Sequence, residues 1–354
     1  MTDVYNLVCM QAASKWIGDV RNARAIIKEN TVRHLQMLDM LPYGAAPLGE
    51  YPKIVVYPEF SLQGIPCMSW EGDNVFRWLQ GVSEEIPGVT TDEFARKSVE
   101  KDCYQQAVLW ERDPSLGDDV FFESAFITDP KGKVALVRRR LILGMPGVTT
   151  TCDVYDEYVK KYGPDPVDAL FPVLETPYGV LGPIICCEMS TPEIARALVL
   201  NGAEVLLHST SEPHPHNNTL IQQKHFRDMQ RPVRASDNTV YLASCNIGRT
   251  TSDASVPEFR DRGCSEILDW HGNRLARIDG PGEAIATAPI DIDALRRARM
   301  KSLFGGLRTE VFAPVFLTRT AWPLNRKVRD QRQRAELVAE VQRSLLARKA
   351  MRPP

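Results

Sequence analysis

Two adjacent cysteines stand in the stretch LGPIICCEMSTPE (residues 181–193), where a hydrophobic run gives way to a polar turn. The apolar residues before Cys186 predict a buried strand, and the sequence PEIARALVLNG predicts a helix after the turn. This helix begins either with Ser190–Glu193 as a capping box or with Thr191 as the cap and proline behind it. A helix start lowers a nearby thiol pKa and offers N–H groups to an oxyanion, so Cys186 or Cys187 is a candidate nucleophile, although such cysteines more often serve as packing.

A carboxylate ends a second apolar run. The sequence KIVVYPEF (residues 53–60) is β-branched and apolar up to Tyr57, and Pro58 and Glu59 follow. If the sheet brings this strand end beside Cys186, Glu59 can act as a general base for the thiol. The acidic residue is weak evidence alone, and the combination with the cysteines makes a catalytic site the better interpretation.

Strands and helices alternate along the rest of the chain. Residues 4–10 predict a buried strand, residues 19–40 show helical spacing of apolar residues, and a strand-helix-strand order continues from about residue 180 to residue 290. The polar segment 149–168 predicts an irregular excursion over the surface. No internal repeat or linker-like break is visible, which favours one α/β domain with sheets covered by helices.

Composition indicates a folded protein with a large core. The 354 residues are 44% hydrophobic and 25% charged, which argues against disorder. We find no run of about 18 apolar residues and no signal peptide pattern at the N-terminus, so we expect a soluble cytoplasmic protein. The eight cysteines form no Cys-x-x-Cys pair, so reduced thiols are the simplest state.

Four blocks, in this order, resemble the nitrilase superfamily of carbon–nitrogen hydrolases. They are VVYPEFSLQG (55–64), FITDPKGKVALVRRR (126–140), GPIICCEMSTPEIARALVLNGAEVLL (182–207), and RASDNTVYLASCN (234–246) followed by GCSEILDWHGNRLA (263–276). YPEFSLQG is most similar to the aliphatic amidase and formamidase branch. The resemblance implies an α/β fold, namely an α-β-β-α sandwich of two mixed sheets flanked by helices, which commonly pairs into homo-oligomers.

Matched residue by residue, the resemblance makes Glu59 the general base and Cys186 the nucleophile. Cys187 takes a variable position of the family motif, and Glu188 takes its acidic position. The implied function is hydrolysis of a non-peptide carbon–nitrogen bond, most simply in a small amide, through a cysteine thioester and without cofactor or metal. Carbamoyl compounds and nitriles share the same nucleophile and stay open as substrates.

The chain departs from the family at two places. Arg140 stands where the family has a catalytic lysine, so Arg140 either holds the oxyanion or a substrate carboxylate, or the protein is an impaired, ligand-binding pseudoenzyme. Lys160 or Lys161 could replace the lysine from the excursion. The second family glutamate is absent from LILGMPGVTTTCD, and Glu157 is the nearest candidate for it.

A histidine cluster offers a different interpretation. His208, His214 and His216 lie near Glu212 in HSTSEPHPH, but this spacing is not that of a usual zinc site, and a surface loop explains it better. The resemblance places this loop at the mouth of the active site. We therefore expect His208 to Glu212 to influence substrate selection.

The C-terminal end differs in charge from the body of the protein. Residues 326–352 carry nine Lys/Arg and three acidic residues within a chain of net charge −2. The Leu337, Val341, Leu345 spacing predicts a helix with one apolar stripe, and the segment lacks the aromatic residues of a nucleic-acid surface. We expect a hydrolase domain over residues 1–315 and a basic extension over 316–354 that contacts a neighbouring subunit or stays solvated.

Overall fold

The computed structural model describes residues 4–41, 52–66, 72–142, 145, 147–212, 218–252, 263–302, 306 and 308–352. Its strands are β1 (Tyr5–Gln11), β2 (Ser14–Trp16), β3 (Ile54–Val56), β4 (Tyr104–Arg112), β5 (Phe121–Thr128), β6 (Val134–Arg139), β7 (Leu174–Thr176), β8 (Gly179–Ile185), β9 (Val205–Thr210), β10 (Tyr241–Asn246), β11 (Thr250–Ser252), β12 (Glu266–Leu268), β13 (Arg274–Arg277) and β14 (Ala284–Ile290). Its helices are α1 (Ala23–Asp39), α2 (Gly72–Val82), α3 (Val89–Lys101), α4 (Tyr155–Tyr162), α5 (Pro166–Leu170), α6 (Pro192–Leu200), α7 (Asn218–Asn238), α8 (Ile292–Lys301), α9 (Thr309–Arg319) and α10 (Gln331–Ala347).

Two mixed six-stranded sheets form the centre of the molecule. The first sheet has the order β14-β1-β3-β4-β5-β6, and the second has the order β13-β12-β10-β9-β8-β7. Strands β1, β3 and β4 run parallel to one another, as do β8, β9 and β10, and antiparallel strands complete both edges. Each site strand therefore lies within a sheet whose neighbours fix its register.

Alternate residues of each strand face opposite layers. In β1, Leu7 and Cys9 pack between the sheets, against residues of β9 and β10 such as Leu207. Val8 and Met10 face the other way and pack against α1. The outer face of the second sheet packs against α6 and α7 in the same manner. The predicted α-β-β-α sandwich is thereby confirmed, and burial on both faces explains why the strands read as continuous apolar runs.

The segment 149–168 differs from the prediction of an irregular excursion. It forms a short 3-10 turn followed by α4 and α5. Tyr158 of α4 is buried and packs edge-to-face on Phe122 of β5. One buried aromatic face is enough to dock a short polar helix, and composition alone did not reveal it.

The C-terminal segment lies partly against its own chain. The Asn325 N–H donates to the Cys152 carbonyl oxygen (2.8 Å), and Leu337 and Val341 of α10 are buried. In α9, by contrast, no residue is buried. Contact of this segment with another subunit stays a prediction. Within the ranges given above, no helix combines the length and apolarity needed to cross a membrane.

Candidate active site

The cysteine pair lies in a sharp turn at the end of β8. The strand ends at Ile185, Cys186 adopts a left-handed backbone conformation (φ 47°), and a 3-10 turn covers residues 186–190. Helix α6 then starts at Pro192 with Thr191 as the N-cap residue, so the second of the two predicted helix starts is the one found. A left-handed conformation is unfavourable for a cysteine, and it persists only where neighbouring groups hold it.

His208 and Glu188 hold this turn in place through hydrogen bonds to its backbone. His208 lies on β9, is fully buried, and places its Nε2 at 3.0 Å from the Cys186 carbonyl oxygen and its Nδ1 at 2.8 Å from Ser244 Oγ. Because the carbonyl oxygen only accepts, Nε2 carries the proton and Nδ1 accepts from the serine hydroxyl. Glu188 accepts from the Ile185 N–H at 3.1 Å.

A buried ion pair joins the turn to the first sheet. Arg138 of β6 and Glu188 form a two-fold hydrogen-bonded pair in which both side chains are fully buried. Glu188 also accepts from the Leu141 N–H at 2.7 Å. Burial alone would raise the pKa of Glu188, but the Arg138 charge and these hydrogen bonds outweigh it and lower the pKa. Glu188 is thus an ionised anchor between the two sheets.

Three charged groups meet beside the cysteines. Glu59 follows β3, Arg140 follows β6, and Glu123 lies on β5, so all three project from the first sheet. The Arg140 Nη1 lies 3.6 Å from Glu59 Oε1 and is hydrogen-bonded to Glu123 Oε2. All three side chains are nearly or completely buried.

Arg140 reaches the cysteines as well as the carboxylates. Its Nη2 donates to Cys187 Sγ, and its Nε donates to the Ile142 carbonyl oxygen at 3.2 Å. The guanidinium therefore bridges the two sheets, and it brings Glu59 and the cysteine turn to one place.

Glu123 is a site residue that the sequence did not predict. It stands within FFESAFIT, an otherwise apolar and neutral strand that is buried throughout. The signal was present, because a carboxylate inside a fully buried strand requires a cationic partner. That partner is Arg140, whose backbone N–H also donates to the Glu123 carbonyl oxygen (2.9 Å).

Burial raises the pKa of Glu59 well above its ordinary value, and the nearby Cys186 and Glu123 raise it further. Neither Glu59 oxygen has a hydrogen-bond donor among the described residues when the carboxyl is ionised. Glu59 and Glu123 approach closely enough to share a proton, which makes them a hydrogen-bonded pair only when one is protonated. The site therefore makes ionised Glu59 a stronger base than an exposed glutamate.

The two thiols differ in character although they are adjacent. The interaction between their side chains raises the pKa of Cys186 and lowers the pKa of Cys187. Burial raises the Cys186 pKa further, and the Arg140 charge adds to the lowering at Cys187. Cys187 is accordingly the more acidic thiol of the two.

Residues 29–300 match the carbon–nitrogen hydrolase family. The chain belongs to this family. It is a carbon–nitrogen hydrolase that acts on bonds other than peptide bonds, and its membership of the nitrilase superfamily, which the sequence motifs predict, is confirmed.

Several curated relatives resemble this hydrolase. A probable nitrilase of Schizosaccharomyces pombe is 24% identical over 298 residues, which cover 83% of this chain and 91% of that one. A citrullinase of Francisella tularensis is 31% identical over 44% of this chain and 54% of its own length. An N-carbamoylputrescine amidase of Arabidopsis thaliana is 29% identical over 40% of this chain and 48% of its own length. The chain thus spans about half the length of the last two.

Solved structures share the fold. A carbon–nitrogen hydrolase from Helicobacter pylori G27 superposes with a TM-score of 0.66 at 20% identity, covering 90% of this chain and 99% of that one. Nit3 of Saccharomyces cerevisiae, a member of branch 10 of the nitrilase superfamily, gives a TM-score of 0.59 at 20% identity. The superposition covers 84% of this chain and 94% of Nit3.

Three residues that we considered for the hydrolase site lie elsewhere. Glu157 is on α4 with an exposed side chain, and its neighbour Tyr158 is the residue that faces the core. Lys161 forms an ion pair with Asp113 (2.9 Å), and Lys160 is exposed. Glu123, and not Glu157, is the second glutamate in contact with Arg140.

The histidine cluster is only partly described. His208 has both ring nitrogens in hydrogen bonds, and Glu212 forms an ion pair with Arg231. His214 and His216 lie outside the described residues. His208 therefore supports the backbone of Cys186 from within the fold, whereas the family resemblance places its loop at the mouth of the active site.

Proposed function

We propose that the protein hydrolyses the carbon–nitrogen bond of a small amide or carbamoyl compound through a thioester at Cys186. The observation that carries this proposal is the convergence of Glu59 and the Cys186 turn on one guanidinium, that of Arg140. A base, a thiol at a strained strand end and a fixed cation are the parts that acyl transfer requires.

In the proposed reaction, ionised Glu59 takes the proton of Cys186, and the sulfur attacks the carbonyl carbon. The raised pKa of Glu59 helps, because a carboxylate that binds protons more strongly is a better match to a thiol. The oxyanion is stabilised by a backbone N–H near Cys187 and by Arg140. Glu59 then gives its proton to the departing amine, and it activates the water that cleaves the thioester.

Glu123 has a positioning role in this scheme. Arg140 is wider than the lysine of the family and ends in a planar fork, so it needs a fixed partner to present one edge to the cysteine turn. Glu123 supplies that partner from the neighbouring strand. Without it, Arg140 would be free to neutralise Glu59, the base.

The curated relatives support the choice of substrate class. Two of them are named for carbamoyl compounds, namely N-carbamoylputrescine amidase and citrullinase. A ureido carbonyl and a carboxamide carbonyl present the same planar C=O beside NH2. We therefore place N-carbamoyl amines and amino acids beside small aliphatic amides as substrates to test.

One observation favours a second candidate, a hydrolase fold that only binds its ligand. The three nitrogens of the Arg140 guanidinium already contact Glu123, Cys187 and the Ile142 carbonyl oxygen. An arginine engaged in this way has fewer donors left for an oxyanion than a lysine would have.

Ammonia release from small amides, N-carbamoyl compounds and nitriles tests both candidates. We expect turnover that Cys186→Ala abolishes and that Cys187→Ala lowers but does not abolish, with an acyl adduct on the peptide containing Cys186. The reverse pattern would make Cys187 the nucleophile. Ligand-induced stabilisation against heat without turnover of any compound would establish the binding protein instead.

A further inference from the structure

Cys186 and Cys187 form a pair whose surroundings are not explained by hydrolysis alone. A thioester mechanism uses one thiol, yet the second thiol is the one that Arg140 contacts. The two cysteines are also consecutive residues of one 3-10 turn, and both are partly accessible. A thiol beside a guanidinium and next to a second thiol has the features of a reactive dithiol.

We propose that Cys186 and Cys187 are a modification site at which a hydroperoxide closes a disulfide between neighbouring residues and a thiol reductant reopens it. Hydrogen peroxide and small alkyl hydroperoxides are the oxidants of the required class. This proposal concerns the chemistry of the two thiols. The further consequence, that oxidation stops hydrolysis, rests on the proposed function of Cys186.

The reaction has two steps. The Cys187 thiolate attacks one peroxide oxygen, the O–O bond breaks, and the sulfur becomes a sulfenic acid while the other oxygen leaves as hydroxide or alkoxide and takes up a proton. The Cys186 sulfur then attacks the sulfenic sulfur, the S–O bond breaks, and the Cys186 proton leaves with that oxygen as water. Two thiols lose two electrons in total, and one peroxide gains them.

The contacts assign the order of these steps. Arg140 contacts the Cys187 sulfur and stabilises negative charge on it, and the lowered pKa of Cys187 agrees with this. Cys186 keeps its proton until the second step, where that proton goes to the oxygen that leaves the Cys187 sulfur. Because the residues are adjacent in the chain, the second thiol is present without any movement of a loop.

The geometry also makes the disulfide reversible. Neighbouring Cα atoms are about 3.8 Å apart, whereas most disulfides join Cα atoms about 4.4–6.8 Å apart. A bond made at so short a span is strained and is therefore reduced more readily than a structural disulfide. Oxidation would thus halt hydrolysis reversibly and protect the nucleophile from irreversible oxidation.

The chain contains a matched control pair. Cys9 and Cys245 also belong to one cluster of side chains, the core between the sheets, but both are completely buried. Burial raises the pKa of Cys245 well above its ordinary value, and no oxidant reaches either sulfur without opening the core. Two thiols that lie close together should therefore not be enough for oxidation to a disulfide. Comparing the two pairs tests whether proximity or reactivity decides the oxidation rate.

Mass spectrometry of the folded protein after one equivalent of hydrogen peroxide tests the proposal. We expect the peptide containing residues 186–187 to become lighter by two hydrogen atoms, at least about tenfold faster than any change at Cys9 or Cys245, since the thiolate is the reactive form. Dithiothreitol should restore the original mass. Neither reading depends on a substrate, so failure of the hydrolase proposal would leave this test intact.

Variants make the assignment specific. In Cys187→Ser, Cys186 should gain oxygen slowly and lose no hydrogens, and in Arg140→Met the disulfide should form at least about tenfold more slowly than in wild type. Circular dichroism checks that both variants are folded. The proposal is overturned if wild-type protein accumulates sulfinic acid at Cys186 with no disulfide, or if both thiol pairs oxidise at the same rate.

Discussion

Replacing Glu123 by glutamine should move the acid limb of the activity profile to lower pH. In the wild type, Glu123 engages the Arg140 guanidinium and places a second negative charge beside Glu59, and both effects keep a proton on Glu59. The variant removes the charge and frees Arg140 for Glu59, which lies 3.6 Å away. Both changes lower the pKa of Glu59. The base then stays ionised, and the enzyme stays active, at more acidic pH.

The attraction between Arg140 and Glu59 across that distance is already present in the wild type, and it sets the scale of the effect. Unit charges 3.6 Å apart attract by roughly 4–5 kcal/mol at an effective dielectric constant of about 20. About 1.4 kcal/mol corresponds to one pH unit, so even a third of this gross attraction moves the limb by about one unit. The turnover at the optimum should fall as well, because a Glu59 that binds protons more weakly is a poorer match to a thiol.

The measurement is kcat/KM for ammonia release between pH 5 and 9, since this ratio reports groups of the free enzyme. Glu111→Gln is the matched control, because Glu111 is a buried carboxylate on β4 that pairs with Arg139 of β6. The Glu111→Gln variant should be less stable than the wild type, and the acid limb of its kcat/KM profile should stay at the wild-type pH. An acid limb that is unchanged or higher in Glu123→Gln would refute the role of Glu123, provided that the variant is folded.

Further predictions concern the parts around this pair. Arg140→Met should lower kcat by about 100- to 1000-fold, the usual cost of losing one oxyanion donor, and Arg140→Lys should retain more activity; equal loss in both would count against an electrostatic role. Arg138→Met leaves Glu188 buried without its cation and should cost about 3–5 kcal/mol in urea unfolding, a loss that Glu188→Leu in the same chain should partly restore. His208→Ala removes the hydrogen bond to the Cys186 carbonyl and should lower kcat by about 3- to 10-fold with little change in KM, whereas a change in KM alone would indicate substrate contact. Leu317→Glu on exposed α9 should weaken self-association measured by light scattering if that helix contacts a second copy of the chain, and an unchanged mass would end that expectation.

The sequence revealed those site residues that mark the ends of strands. Glu59 and the cysteine pair could be predicted as candidates because each follows an apolar run, and the family resemblance then singled out Cys186. The carboxylate of Glu123 within a buried strand was a signal that it needs a cation, but the choice of Arg140 depends on the register between β5 and β6, which the sequence does not show. Glu157 was a candidate because the sequence does not show which side of helix α4 faces the core. In the structure Tyr158 faces the core and Glu157 is exposed to solvent.

The arginine in place of lysine explains why the remaining parts are arranged as they are. An ammonium group has three donors at one point, whereas a guanidinium has five donors spread over a plane. Only the wider group can contact Glu123, Glu59, Cys187 and the Ile142 carbonyl oxygen together. A buried cation of this shape requires a buried carboxylate, and its far edge necessarily reaches the second cysteine. The contact that orients Arg140 for an oxyanion is therefore also a contact that lowers the pKa of Cys187, so hydrolysis and sensitivity to peroxide should be lost together when Arg140 is removed.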